Sequence, residues 1–144
     1  MSALTLAQAE TIAAAALAKG REKGFAPLTV VVLDAGGHIT LAKREDGSGI
    51  LRIEIARGKA WGALGMGLGS RNLAGRAVKM PAFFAALAAA SDGRMVPVPG
   101  GVLIRDAGGQ LLGAVGISGD NSDNDEAAAI AGIEAAGLKA DPGA

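Results

Sequence analysis

The four residues Asp-Ala-Gly-Gly occur twice in this chain, at 34–37 and at 106–109, and each copy lies between two apolar segments. An aspartate can hydrogen-bond the backbone two residues further on, and glycines accept the positive φ angles that tight turns require. β-Branched and aliphatic residues dominate the flanking segments, as is typical of strands. The repeat therefore predicts two β-hairpins, with strands over 28–33, 38–44, 102–105 and 110–118.

Helical periodicity flanks and separates these hairpins. We predict a first helix over 5–20, opened by a capping box of Thr5 and Gln8 and ended by Gly20. The further predicted helices cover 50–68, 70–78, a segment from Pro81 onward, and 123–137. Two hairpins covered by helices make an α+β layered domain with an antiparallel sheet. The length fits a single domain over 1–144, with 139–144 expected to be a frayed tail.

Composition excludes several classes of function. The chain has 14 basic and 14 acidic residues, a net charge of zero, and 3% aromatic residues, which argues against nucleic acid as a partner. It has no cysteine, so disulfides and thiolate metal sites are excluded. Zero net charge removes the self-repulsion that opposes association, so a homo-oligomer is expected. No signal peptide or membrane span is recognisable, and we expect a cytoplasmic protein without a membrane partner.

Five segments carry a resemblance to a known family: V-V-V-L-D-A-G-G-H, G-K-A-W-G-A-L-G-M-G, P-V-P-G-G-V, G-A-V-G-I-S-G-D and D-N-D-E-A-A-A. In this order, and over nearly the whole chain, they resemble the GlcG/HbpS family, the haem-degrading domain family related to the PduO C-terminal domain. The resemblance implies a profilin-like α/β/α fold with an antiparallel sheet and an oligomeric assembly. It also implies haem as a candidate cofactor, or a role beside a catabolic pathway.

His38 is the only imidazole of the chain. It is a candidate axial ligand of haem, or a general base near neutral pH. The alternative is a polar residue that follows a β-turn without a function of its own. Gln110, which holds the matching position in the second hairpin, favours that alternative. His38 is therefore a weak candidate as a haem ligand, and no other metal site is predicted.

An oxygen-rich run, Asp120 to Glu126, follows Gly119. Such a run supplies hard-cation ligands or polar groups lining a site. The alternative is helix capping, with Asp123 as the cap and Glu126 three residues later. Capping explains Asp120 and Asn121 less well, so both stay candidates for ligand contact, and Asp120 is also a candidate catalytic residue.

The remaining candidates are glycines, a proline and two cations. Backbone amides of glycine-rich segments can line an anion-binding pocket, although tight turns alone explain them equally well. Lys59 and Arg71 are candidates for holding a substrate carboxylate, against the alternative of surface ion pairs. Lys59 is also a candidate catalytic residue, and the glycines beside it are expected to allow close helix packing, including packing across a subunit interface. These candidates are Lys59, Arg71, Pro99, Gly100, Gly101 and Gly119, with Gly58, Gly62 and Gly65 as the packing glycines.

Three functions stay open on the sequence alone. The first is a binding module that holds haem or another small molecule. The second is a small enzyme or accessory factor that acts on an organic acid or carbonyl compound, with its site between P-V-P-G-G, S-G-D-N and the glycine-rich helix. The third is a structural oligomer subunit without a ligand. The residues do not decide whether the chain is an enzyme.

Overall fold

A computed structural model describes residues 3–144, and within them lie five helices and five strands. The helices are α1 (Leu6–Lys23), α2 (Arg52–Met66), α3 (Ser70–Lys79), α4 (Pro81–Ala90) and α5 (Ser122–Ala135). The strands are β1 (Thr29–Asp34), β2 (Ile39–Arg44), β3 (Gly101–Arg105), β4 (Leu111–Ser118) and β5 (Lys139–Asp141). No helix in residues 3–144 has the length and apolarity needed to span a membrane.

The strands form one antiparallel sheet in the order β2-β1-β4-β3-β5. The two predicted hairpins, β1–β2 and β3–β4, are joined at the centre of the sheet where β1 pairs with β4. Their turns use the same hydrogen bonds. Asp34 Oδ1 accepts from the N–H groups of Gly36 and His38, and Asp106 Oδ1 accepts from those of Gly108 and Gln110. The internal repeat is therefore a structural repeat.

Helices cover both faces of this sheet. On one face α1 and α5 pack over side chains that include Val30 and Val32, and on the other face α2 packs over Val31 and Leu33. Strand β1 is thus buried on both faces, as its unbroken apolar run predicts. The predicted α+β layered architecture is confirmed.

Glycines let α2 lie directly on its neighbours. A Cβ atom built at Gly116 of β4 would stand 1.8 Å from the carbonyl oxygen of Ala56, so only glycine fits there. On α2 itself, a Cβ at Gly58 would stand 2.5 Å from Val96, and one at Gly62 would stand 3.4 Å from Met95. Gly58 and Gly62 therefore serve packing within this chain, whereas a Cβ at Gly65 would meet no other part of the described chain within 4 Å.

The predicted end of the first helix is wrong. Helix α1 does not end at Gly20, which is buried inside it; the helix continues to Lys23 and ends at Gly24, whose φ of 71° is left-handed. The capping box at its start is confirmed.

The tail predicted to fray instead contains strand β5, which pairs with β3 and is held by an Arg105–Asp141 ion pair of 3.0 Å. Behind it, the carbonyl of Pro142 accepts a hydrogen bond from the N–H of Arg71. Backbone pairing and this ion pair fix a segment whose composition alone carries no strand signal.

Candidate functional site

The predicted site residues lie at two opposite ends of the sheet. We call the end where β3 begins and β4 stops the closed end, and the end that carries the two Asp-Ala-Gly-Gly turns the open end. The closed end gathers most of the candidates: Lys59, Arg71, Pro99, Gly100, Gly101, Gly119, Asp120 and Asn121. The open end carries His38.

Lys59 is the centre of the closed end. Its side chain is only 2% exposed, and its Nζ donates to the carbonyl of Ile117 at 2.8 Å and to Asp125 Oδ2 at 3.0 Å. The ammonium thus connects α2 to α5 around the end of the sheet. A Cβ at Gly100 would stand 2.8 Å from Nζ, so glycine there leaves room for the lysine. Lys59 is a buried structural charge in this conformation.

Burial sets the titration of this ion pair. Loss of water lowers the pKa of Lys59, and the Asp125 carboxylate opposes that shift. Loss of water also raises the pKa of Asp125, against the opposing effect of the Lys59 charge. Both groups therefore resist ionisation by burial, and each depends on the other to stay charged.

Asp120 connects the start of α5 to the segment after α1. Its Oδ2 accepts from the N–H of Ala26 at 2.7 Å, and its Oδ1 accepts from Asn121 N–H and Asn124 Nδ2. The Ala26 hydrogen bond is the main reason why the pKa of Asp120 is lowered. The N–H of Asp120 donates to Asp125 at 2.9 Å. Its carboxylate is therefore committed to backbone and amide donors.

The cap of α5 is Asn121, whose side chain accepts from Asn124 N–H at 2.9 Å. The prediction that Asp123 caps the helix is wrong, because Asp123 and Glu126 instead face Arg71. The Arg71 guanidinium donates to both Glu126 oxygens and to Asp123. Hydrogen bonds to Glu126 are the main reason why the pKa of Arg71 is raised.

The glycines and proline of the closed end serve close packing. Gly101 N–H donates to the buried Ser70 hydroxyl at 2.7 Å, and a Cβ there would stand 2.2 Å from the Lys59 carbonyl oxygen. A Cβ at Gly119 would stand 2.2 Å from the carbonyl oxygen of Pro27. Pro99 is half-buried. In residues 3–144 every buried side-chain nitrogen or oxygen has a hydrogen-bond partner. The closed end is thus filled and internally satisfied.

The open end differs in both exposure and bonding. The His38 side chain is 81% exposed, and its Nδ1 lies 3.2 Å from Asp34 Oδ1. Backbone N–H donation from His38 is the main reason why the pKa of Asp34 is lowered, so the carboxylate is charged and accepts from the ring. Between Ala3 and Ala144 no residue hydrogen-bonds the other ring nitrogen, Nε2. The imidazole is thus oriented at one nitrogen and available at the other.

A surface cavity of about 460 Å³ lies beside His38. It has mostly apolar walls, to which Leu4, Leu111 and Leu112 contribute, and Gln110 from the second hairpin completes it. In the described chain, no group of three or more His, Asp or Glu side chains could hold a metal ion. An imidazole with one unpartnered ring nitrogen beside an apolar cavity offers the two kinds of contact that an iron porphyrin uses, a nitrogen ligand for the iron and apolar surface for the ring.

Two features were missed by reasoning from the sequence. The first is the role of Asp125 as the partner of Lys59, although a lysine between the buried residues Gly58 and Ala60 signals a buried cation that needs a partner. The second feature is a stack of Arg94 on Trp61, with the guanidinium carbon 4.2 Å from the ring centroid. No sequence pattern brings these two residues together.

The fold of this chain is shared with known proteins. A model of the family described as "Haem degrading protein HbpS-like" matches residues 4–134. The chain belongs to this HbpS-like family. No curated protein matches it significantly by sequence.

Crystal structures of related proteins have the same fold as this HbpS-like chain. A PduOC:heme complex is 27% identical over 95% of this chain and 97% of that chain, with a TM-score of 0.85. Protein ORFY of Klebsiella pneumoniae is 27% identical over 95% and 92%, with a TM-score of 0.84. A double mutant of HbpS from Streptomyces reticuli is 27% identical over 93% and 87%, with a TM-score of 0.79. The resemblance inferred from the five sequence segments is confirmed.

Proposed function

We propose that this HbpS-like chain is a haem-binding protein that holds haem at the open end through His38. The observation that carries the proposal is the likeness to the PduOC:heme complex, which covers 95% of this chain. Bound haem would supply the redox chemistry of its iron, and the chain would supply the imidazole and the apolar contact surface.

The local chemistry of His38 supports this assignment. Histidines that bind metals usually donate their second ring N–H to a carboxylate, which fixes the tautomer and strengthens the ligand. Asp34 makes this contact with Nδ1 at 3.2 Å, so Nε2 carries the lone pair. The Asp34 carboxylate is itself held by two backbone N–H groups of the turn. Before any ligand binds, the imidazole is therefore held in one orientation, with Nε2 available to bind a metal.

A single chain covers one side of such a ligand. The cavity beside His38 is open to solvent, and the imidazole is 81% exposed. A large apolar ring is bound tightly only when both of its faces leave water. We therefore propose a homo-oligomer in which a second copy covers the other face. Zero net charge, which leaves no overall repulsion between copies, supports this assembly. We also propose that the protein works in the cytoplasm.

Haem titration tests the proposal. Adding haemin to the purified protein should give a saturable shift of the Soret band at micromolar haem. His38→Ala should remove the shift, whereas Gln110→Ala, which alters the same cavity at the matching hairpin position, should retain it. Absence of a saturable shift in the wild type would overturn haem binding, and an unchanged shift in His38→Ala would overturn the role of His38.

An enzyme that acts on an organic acid through Lys59 and Asp120 is less well supported. Lys59 is 2% exposed, and both side chains are bound to other groups of the protein. Such an activity would require the closed end to open. No contact of the described residues favours that motion, so we do not propose it.

A further inference from the structure

A second cavity shares no lining residue with the cavity beside His38. It has a volume of about 350 Å³ and lies between α2 and the segment 92–96 that follows α4. Its apolar walls include Ile55, Trp61 and Val96, and Arg94 lines it as well. A volume above about 300 Å³ is within the range of small-molecule sites. The walls of this cavity combine apolar side chains with four charged ones, Glu54, Arg57, Asp92 and Arg94. The nature of its polar groups decides what it could bind.

The segment that carries Arg94 is held rigidly. Asp92 and Gly93 adopt φ angles of 54° and 73°, and Asp92 is the one non-glycine residue with a positive φ in the described chain. Their N–H groups donate to carbonyls in the last turn of α4, and Val96 N–H donates to Gly58 O at 3.2 Å. An unusual backbone that is fixed by its surroundings often marks a functional position. Here it sets where the arginine stands.

Arg94 is itself preorganised for an anion. Its Nε donates to the carbonyl of Ser91 at 2.9 Å, and its guanidinium plane lies over Trp61 at 4.2 Å. No carboxylate in residues 3–144 forms an ion pair with it. The two terminal nitrogens therefore remain available, and a guanidinium fork matches the two oxygens of a carboxylate. This differs from Arg71 and Arg105, whose forks already hold acidic side chains.

The other charges of the cavity limit what can enter. Glu54 and Asp92 line it together with Arg57 and Arg94, so its charge is balanced. A balanced cavity has no strong attraction for a polyanion, because two acids repel each additional negative group. A ligand with one carboxylate meets the free fork of Arg94 and leaves the remainder of its body on the apolar walls.

We infer that this cavity binds a small organic monocarboxylate with an apolar body, held by the terminal nitrogens of Arg94 beside Trp61. The carboxylate accepts two hydrogen bonds from Arg94. The apolar body replaces water against Ile55 and Val96. This site uses neither His38 nor the other residues that line the cavity beside it.

Calorimetric titration with benzoate tests the inference, with benzamide as a neutral ligand of the same shape. Benzoate should bind one-to-one with a dissociation constant below about 1 mM, and benzamide should bind at least about tenfold more weakly. Arg94→Gln should weaken benzoate binding by about tenfold or more. Arg76→Gln is the matched control, because it removes one exposed positive charge that hydrogen-bonds Asn72 and does not line the cavity. It should leave binding unchanged.

Two further measurements separate the site from alternatives. Trp61 is the only tryptophan and the chain has no tyrosine, so its fluorescence should change with benzoate along the same curve as the heat. His38→Ala should bind benzoate like the wild type, which distinguishes this site from the proposed haem site. The inference is overturned if benzoate shows no saturable binding up to about 10 mM. It is equally overturned if benzamide binds as well as benzoate, or if Arg94→Gln binds like the wild type while keeping its native circular dichroism spectrum.

Discussion

The two ends of the sheet treat ionisable groups in opposite ways. At the closed end, Lys59 and Asp125 are 2% and 1% exposed and satisfy each other. At the open end, His38 is 81% exposed and keeps one ring nitrogen without a partner in the described chain. A buried ion pair whose members bond each other has no group left to bind a ligand. An exposed, oriented group is free to bind.

This difference separates structural from functional candidates. The residues most prominent in the sequence are the acidic run at the start of α5, Lys59 and Arg71. They are bonded to one another and to the backbone. The single histidine follows a turn whose composition indicates only a connection between two strands. It nevertheless keeps one ring nitrogen without a hydrogen-bond partner in the described chain. Burial and the number of hydrogen-bond partners therefore distinguish a structural role from a binding role. Neither quantity can be read from the sequence.

The largest effect is expected from removing the buried cation. Lys59→Met keeps the length of the side chain but leaves the Asp125 carboxylate buried without its partner. Such a loss typically costs about 3–5 kcal/mol of unfolding free energy. Urea unfolding followed by circular dichroism measures it. The double variant Lys59→Met with Asp125→Asn should regain much of the loss, because asparagine is neutral and keeps an oxygen for Asp120 N–H. If the unfolding free energy of Lys59→Met lies within about 1 kcal/mol of the wild type, the loss is on the order of a surface change. That result would contradict a structural role for the Lys59–Asp125 pair.

The next largest loss of unfolding free energy is expected from one of two matched glycine substitutions. Gly101→Ala at the closed end places a Cβ 2.2 Å from the Lys59 carbonyl oxygen, whereas Gly108→Ala at the open end meets only Asp106 Oδ1 at 3.4 Å. Overpacking against backbone costs about 1–3 kcal/mol or more. Gly108→Ala should stay within about 0.5 kcal/mol of the wild type, as expected for a surface change. The measurement is the midpoint of urea unfolding for both variants. Equal losses would mean that the two ends are packed alike.

A smaller effect concerns pH. Burial raises the pKa of Asp125, and Lys59→Met removes the positive charge that opposes this shift. A carboxyl with a raised pKa binds more protons in the folded than in the unfolded state, so stability falls as pH rises from its ordinary value of 3.8 through the raised one. Relative to the double variant, which has no acid at this position, Lys59→Met should therefore lose stability over the pH range above about 4. A constant difference across this range would show that Asp125 titrates normally.

The features predicted from the sequence are those that local chemistry determines. Both hairpins follow from the Asp-Ala-Gly-Gly repeat, because the aspartate side chain and the glycines build the turn within five residues. The α1 capping box is equally local. The end of α1 was placed too early at Gly20, since a glycine inside a helix is tolerated when Leu28 packs against it and Gly24 supplies a better stop.

The features that were missed depend on contacts between distant residues. Strand β5 has no strand pattern of its own and exists because β3 offers an edge to pair with. The Lys59–Asp125 pair joins residues 66 positions apart. Arg94 reaches Trp61 through a loop whose left-handed residues fix its direction. Local propensity cannot encode such contacts, which is why the partners of Lys59 and of Arg94 could not be predicted from the sequence.

The smallest effect on stability is expected from His38→Ala at the open end. His38→Ala removes a side chain that is 81% exposed, but it retains the backbone N–H that Asp34 accepts at 3.0 Å. The turn therefore stays intact, and the free energy of urea unfolding should change by no more than about 0.5 kcal/mol. Gln110→Ala, at the matching position of the second hairpin, should behave the same way. A loss above 1 kcal/mol in His38→Ala alone would exceed the range of such surface changes. In that case the imidazole would hold the hairpin together, and the contrast between a structural closed end and a binding open end would fail.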